Sequence, residues 1–232
     1  MRQRLLLSAI GAGLFGIGLS LGWWMRTPRP DARSYSRDRL IVVQVHLDEA
    51  PEAYILIAGD SQAELQSSAA RVCGREIVNG GVNGASAALY AELLPTLELK
   101  ARPQAVVLTI GTNDILRKND PLSPEALARY EASAARIITH LGTLSDRVVV
   151  TALPPIGRDA ESRIDPLAVG VYSQRLEALC RRLGCVFTDP FAEIREGGTG
   201  LARPGTMRDG LHLKAYRPTL KAMETALCPA PG

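Results

Sequence analysis

Short apolar runs rich in β-branched residues recur at Tyr54 to Ala58, Glu76 to Asn79, Ala105 to Ile110, Val148 to Ala152 and Val186 to Thr188. Each predicts a strand. Helix-like segments lie between them at about residues 62–73, 85–98, 123–141 and 166–183, with a last one near 214–227. Ser123 followed by Pro124 and Glu125 is a good helix start, and Gly142 and Gly184 are good helix stops. Pro218 implies that the last helix settles only near its own first turn. Leu40 to Leu47 alternates apolar and polar residues around Gln44 and His46, which fits either an extra strand or a leading helix. Strands alternating with helices predict an α/β domain with a parallel sheet and right-handed crossovers. Such sheets bind ligands at the carboxyl ends of their strands.

One stretch follows a different pattern. Leu5 to Met25 contains no charged residue, and at about 1.5 Å per residue it can cross a hydrocarbon core about 30 Å thick. Trp23 and Trp24 stand where an interfacial anchor belongs. Arg2 and Arg4 would also suit a cleaved signal peptide, but no clear Ala-x-Ala site follows, Gly16-Ile17-Gly18 being the best substitute. An uncleaved transmembrane anchor is therefore expected, with secretion after cleavage as the alternative. A buried core helix is disfavoured by the glycines of the run and by the polar, Pro-containing stretch from Arg26 to Ser36. The organisation expected is a basic N-terminus at 1–4, an anchor at 5–25, a linker at 26–36 and a main domain at 37–232. Ser8, Ala12, Gly16 and Ser20, with the pair Gly18 and Gly22, could line a helix-packing face.

Orientation is contested by two signals. Arg26, Arg29, Arg33, Arg37 and Arg39 after the run outnumber Arg2 and Arg4 before it, which by the positive-inside rule puts the main domain in the cytoplasm. An N-terminal apolar segment preceded by arginines is nevertheless how an exported domain is usually started. The 4 cysteines are an even number that suits an oxidising compartment. The expected location is an inner-membrane anchor with the main domain in the periplasm or another extracytoplasmic space.

Composition changes the picture mainly by exclusion. With 46% hydrophobic and 22% charged residues, the chain fits one globular domain once the N-terminus is set aside. The net charge of +3 is small and its excess lies largely beside the apolar run, so nucleic-acid binding has no support. Only 3 histidines exist, and no Cys or His cluster has metal-ligand spacing, so neither a metal nor an organic cofactor is expected. Gly11 to Gly16 fits G-x-G-x-x-G and Gly18 to Gly22 fits G-x-S-x-G, but both lie in the apolar run and follow no strand.

The chemistry sits in four short blocks: Gly59-Asp60-Ser61, Asn83-Gly84, Gly111-Thr112-Asn113-Asp114 and Asp209-Gly210-Leu211-His212. Three follow predicted strands and the fourth precedes the last helix, so all fall at one end of the sheet. Ser61 can be a nucleophile and His212 its general base, while Asp209 can hold the ring in the right tautomer. The N–H groups of Ser61 and Gly84 and the side-chain amide of Asn113 can hold an oxyanion. Singly, each block is ordinary turn chemistry; their order and strand context carry the case. Asp60 and Asp114 fit turn-forming roles, and His46 and His140 structural or surface ones.

This set resembles the SGNH (GDSL-type) hydrolases, whose four named residues would be Ser61, Gly84, Asn113 and His212, over a region from about residue 53 to the C-terminus. Gln62 stands where the family often has leucine, and Gly81 is the second candidate for the oxyanion glycine. The resemblance implies a flavodoxin-like three-layer sandwich with a five-stranded parallel sheet in the order 2-1-3-4-5, and first and last helices on one face. Under that order Cys73 and Cys228 close neighbouring helices at the bottom of the sheet, where Cys180 and Cys185 also fall. Cys73 with Cys228 and Cys180 with Cys185 are the pairs expected; the other two pairings and free thiols remain open.

The implied reaction is ester cleavage through an acyl-Ser61 intermediate that water, activated by His212, then releases. The upper loops carry Arg117, Lys118, Arg158, Arg163, Arg195, Arg203 and Arg208 among acids and no long apolar stretch, which favours a short acyl group on a polar carrier. An anchored enzyme facing the envelope would meet acetylated polysaccharide or peptidoglycan. For sugar stacking it would rely on Tyr90, Tyr130, Tyr172 and Tyr216. An O-acetyltransferase with a sugar hydroxyl as acceptor uses the same chemistry. A non-catalytic envelope scaffold has no need of Ser, Asp and His together.

Overall fold

In the computed structural model, residues 31–67 and 70–228 are described. Five parallel strands form one sheet: β1 (Ile55–Gly59), β2 (Ile77–Gly81), β3 (Ala105–Thr109), β4 (Val148–Thr151) and β5 (Val186–Thr188). Their order is β2-β1-β3-β4-β5, as the resemblance implied. Ile55 pairs with Ile77 on one side and Ala105 on the other, so the central strand starts level with its neighbours.

Alternate residues of β1 to β4 feed two cores. Leu56, Ala58, Val78, Val106, Leu108, Val148 and Val150 point to one, and Ile55, Ile57, Ile77, Ala105, Val107 and Val149 to the other. This period-2 division, with apolar residues on both sides, is what a sheet covered by helices on both faces requires. The larger face is covered by α1 (Ala32–Asp48), α3 (Ala87–Leu93), α4 (Pro124–Leu144) and α5 (Pro166–Leu183). The smaller is covered by α2 (Ser61–Glu64), α6 (Arg217–Ala222) and α7 (Glu224–Leu227), through Ala63, Leu220, Met223 and Leu227.

Several elements depart from expectation for identifiable reasons. The segment at Leu40–Leu47 is helical and belongs to α1, which starts at Ala32 inside the stretch read as linker. The helix expected over 62–73 ends at Glu64. The buried Asn79 side chain donates to the carbonyls of Ala63, Glu64 and Gln66, at 3.0, 3.1 and 2.6 Å. Those are acceptors that a continuing helix would use itself. The segment at 85–98 shortens because Pro95 forces a 3-10 turn after Leu93. Gly142 does not stop α4, which runs on to Leu144 and caps on Ser145, whereas Gly184 ends α5 in the left-handed region at φ 77°. Met223 divides the last helix in two.

Both disulfides form as expected, Cys73–Cys228 with a Cα separation of 5.4 Å and Cys180–Cys185 with one of 4.5 Å. Among the described residues no helix is long and apolar enough to cross a membrane. The apolar run from Leu5 to Met25 lies outside the described residues.

Candidate active site

The site grows from the tip of β1. Gly59 has φ 134°, and a Cβ there would lie 1.8 Å from the Thr109 carbonyl oxygen of β3, so no side chain fits at this turn. Asp60 then caps α2, its Oδ1 accepting from the Gln62 N–H at 2.9 Å. Ser61 is thereby left at the first position of the helix, above the sheet.

The loop before α6 brings His212 across 151 residues of sequence to place Nε2 3.0 Å from Ser61 Oγ. On the other side of the ring, Nδ1 lies 2.8 Å from Asp209 Oδ2. Asp209 Oδ1 accepts from the N–H groups of Leu211 and His212, at 3.0 and 2.8 Å. Burial alone would raise the Asp209 carboxyl, but the hydrogen bonds from the His212 ring and these two backbone donors outweigh it and hold it down at about 2. An ionised Asp209 favours the tautomer with the proton on Nδ1, which leaves Nε2 to accept the proton of Ser61.

The remaining blocks converge on the same point. The Asn113 side-chain amide donates one hydrogen to the Ala85 carbonyl at 3.0 Å, which fixes its plane and leaves the second hydrogen for a ligand. Gly81 and Gly84 are told apart by their amides. The Gly81 N–H is spent on Asn79 Oδ1 at 2.9 Å, while Gly84, at φ 77°, makes no N–H hydrogen bond among the described residues. The same holds for the Ser61 N–H. Two free backbone donors and one half-used amide suit a developing oxyanion.

Two carboxylates do more than form turns. Asp60 is fully buried, and its Oδ2 accepts from Gly111 N–H at 3.2 Å and Thr112 N–H at 3.0 Å, tying the Ser61 turn to the Asn113 loop. Burial pushes its carboxyl up to about 6 against these hydrogen bonds. Asp114 accepts from the Ala87 N–H at the start of α3, at 2.9 Å, as well as from its own backbone N–H, and burial pushes it to about 7.

Gln62 is the residue whose part the sequence conceals. Buried where a leucine is common, it donates to the Leu211 carbonyl at 2.7 Å and accepts from the Tyr216 hydroxyl at 2.8 Å. The Leu213 N–H in turn donates to that hydroxyl at 3.3 Å. The loop holding His212 is thus latched to α2 by a side chain adjacent to Ser61. Its only sequence signal is that Gln62 stands where the family often has leucine.

Ser61, Asp209 and His212 line a cavity of about 500 Å³ with Glu64, Leu65, Asn83, Arg208, Leu213 and Tyr216. Of the tyrosines expected to stack on sugars, only Tyr216 is there. Tyr90, Tyr130 and Tyr172 are core residues whose hydroxyls donate to the carbonyls of Gly80, Ile110 and Pro121. Neither His46 nor His140 lines this cavity. Among the described residues no group of three or more His, Cys, Asp or Glu could hold a metal ion.

Residues 56–216 match the model of the GDSL-like lipase/acylhydrolase family. The chain belongs to this family. It is accordingly a serine hydrolase acting on ester bonds. Solved structures of the same fold include a candidate platelet activating factor from Streptococcus pneumonia, with TM-score 0.72, 19% identity and coverage of 93% of this chain and 99% of that one. An acetylxylan esterase from Geobacillus stearothermophilus matches at TM-score 0.55 and 17% identity, covering 76% of this chain and 93% of that one. A lipase/acylhydrolase from Enterococcus faecalis matches at TM-score 0.57 and 15% identity, covering 76% and 94%. No curated protein matches the chain.

Proposed function

We propose that this GDSL hydrolase is an envelope esterase that removes short, acetyl-type acyl groups from a polar carrier such as a polysaccharide, through an acyl-Ser61 intermediate. The observation that carries the reading is the relay of Ser61, His212 and Asp209, with links of 3.0 and 2.8 Å, opening into a cavity of about 500 Å³. His212 takes the Ser61 proton as Oγ attacks the carbonyl, and then gives it to the departing alkoxide. The Ser61 and Gly84 N–H groups and the Asn113 amide hold the oxyanion. Water activated by the same histidine releases the acid.

A short acyl group suits the cavity wall, where Leu65 and Leu213 are the aliphatic side chains among charged and polar ones. The acetylxylan esterase among the structural neighbours makes an acetylated glycan a reasonable carrier class. Export through an N-terminal membrane anchor at Leu5–Met25 is supported by that apolar run and by two disulfides, which persist in oxidising compartments.

The test is hydrolysis of nitrophenyl esters from acetyl to octanoyl, alone and with a polysaccharide acceptor. A fall in kcat/KM with chain length and release of free acetate are expected. A rate that rises with chain length would overturn the short-acyl reading, and acetyl appearing on the glycan would make the enzyme a transferase.

A further inference from the structure

Of the seven basic residues expected on the loops above the sheet, Arg208 is the one that lines the cavity of Ser61 and His212. Its backbone is fixed there. The Arg208 N–H donates to the His212 carbonyl at 2.7 Å, and Met207 bridges Leu213 in antiparallel fashion, so a tight loop sets Arg208 opposite the histidine. Its guanidinium has no hydrogen-bond or ion-pair partner among the described residues. Arg117, Arg158 and Arg195 are by contrast paired with Asp165, Glu196 and Asp189, at 3.1, 2.7 and 2.9 Å.

The two carboxylates of the same wall are already engaged. Asp209 serves the His212 ring, and Glu64 accepts from the Tyr35 hydroxyl and from the Asn83 N–H at 2.5 Å. Arg208 also lines an adjoining cavity of about 320 Å³ together with Arg158 and Arg203, where Asp159 is the acid on the wall. With Arg158 paired to Glu196, Arg203 is the residue that carries positive charge on from Arg208, away from Ser61.

The side of the ester it faces follows from the reaction. His212 must hand a proton to the leaving alkoxide, so the alcohol part approaches the histidine loop while the carbonyl oxygen points to Gly84 and Asn113. A cation held on the histidine loop meets the carrier, and an arginine matches a carboxylate or phosphate by paired N–H donors.

We propose that Arg208 is a specificity residue that binds an anionic group on the alcohol part of the substrate, so that the natural carrier is an acidic one. This rests on the esterase reading of the same site. Three matched aryl acetates test it: 4-acetoxybenzoate, its neutral methyl ester, and 4-acetoxyphenyl phosphate, assayed with wild type, Arg208→Gln and Arg208→Glu. The ratio of kcat/KM for the anionic to the neutral ester is expected to fall by about fivefold in Arg208→Gln, the size that a partly exposed charge pair gives, and further in Arg208→Glu. Added salt should lower the same ratio in wild type. The benzoate and phosphate arms show which anion is preferred. As a measurement independent of any variant, 4-hydroxybenzoate should inhibit wild type more strongly than its methyl ester. Ratios unchanged within about twofold in both variants, with the neutral ester still hydrolysed by wild type, would overturn the proposal and leave the esterase reading standing. Failure of wild type on all three esters would bring down both.

Discussion

The carboxylate of Asp60 lies 3.0 Å from the backbone nitrogen of Thr112 and so joins the turn that carries Ser61 to the loop that carries Asn113. Both loops follow neighbouring strands, β1 and β3, whose register is fixed as far as Gly59 and Thr109, but the strand pairing does not join the loops beyond them. A buried carboxylate accepting from both loops does so. Asp60→Ala would leave the N–H groups of Gly111 and Thr112 buried without these acceptors, at about 1–3 kcal/mol each. A loss of that order in urea denaturation is expected, with kcat falling more than KM rises. Unchanged kcat in folded Asp60→Ala protein would show that the tie does not matter to the chemistry.

Ser61→Ala should abolish acyl turnover. Asn113→Ala should lower kcat by roughly a hundredfold or more, as loss of an oxyanion donor does. Steady-state assays on nitrophenyl acetate decide both, and full activity of Ser61→Ala would rule out the nucleophile.

Gln62→Leu restores the residue common at this position but removes the latch to Leu211 and Tyr216. The expected result is a fall in kcat of about tenfold, since a catalytic base displaced by a fraction of an ångström costs on that scale or more. Tyr216→Phe removes only one arm and should cost less. A Gln62→Leu enzyme as fast as wild type would show that packing alone positions His212.

The buried carboxyls predict a pH dependence of stability. Asp60 and Asp114 are raised by burial from 3.8 to about 6 and about 7, so between these values the folded state binds more protons than the unfolded one. Their contribution therefore makes stability fall as pH rises from about 4 to about 7. Asp209 acts oppositely: its contribution is present above the unfolded value and is lost as pH falls through about 2. Asp114→Asn, which keeps an acceptor for Ala87, should flatten the decline. Urea titrations at about pH 4.5 and 7.5 measure it.

Cys73–Cys228 spans 155 residues and Cys180–Cys185 only 5. In the chain-entropy picture these loops correspond to about 5 and about 2 kcal/mol. Replacing the first pair by serines should therefore destabilise the domain more than replacing the second, by denaturant titration of the two double variants.

By itself the sequence determined the strands and the four blocks that hold the candidate chemistry. Strand positions were readable because five apolar runs are each bounded by turn residues, and the two-face pattern of Ile55 to Ala58 repeats in Ala105 to Leu108. The four blocks stood out because each holds its chemistry within four residues or fewer, and the cysteine pairs followed once the strand order was supplied. Tertiary structure decided what depends on partners far along the chain. Asn79 shortens α2 from a neighbouring strand, Gln62 meets Tyr216 across 154 residues, and Asp60 meets Thr112 across 52. The same packing took three of the four tyrosines expected to stack on sugars into the core and left Tyr216 at the cavity. Local propensity cannot encode these choices, because a buried polar atom takes whichever partner the packed fold brings within about 3 Å, and its own neighbours in sequence do not determine that partner.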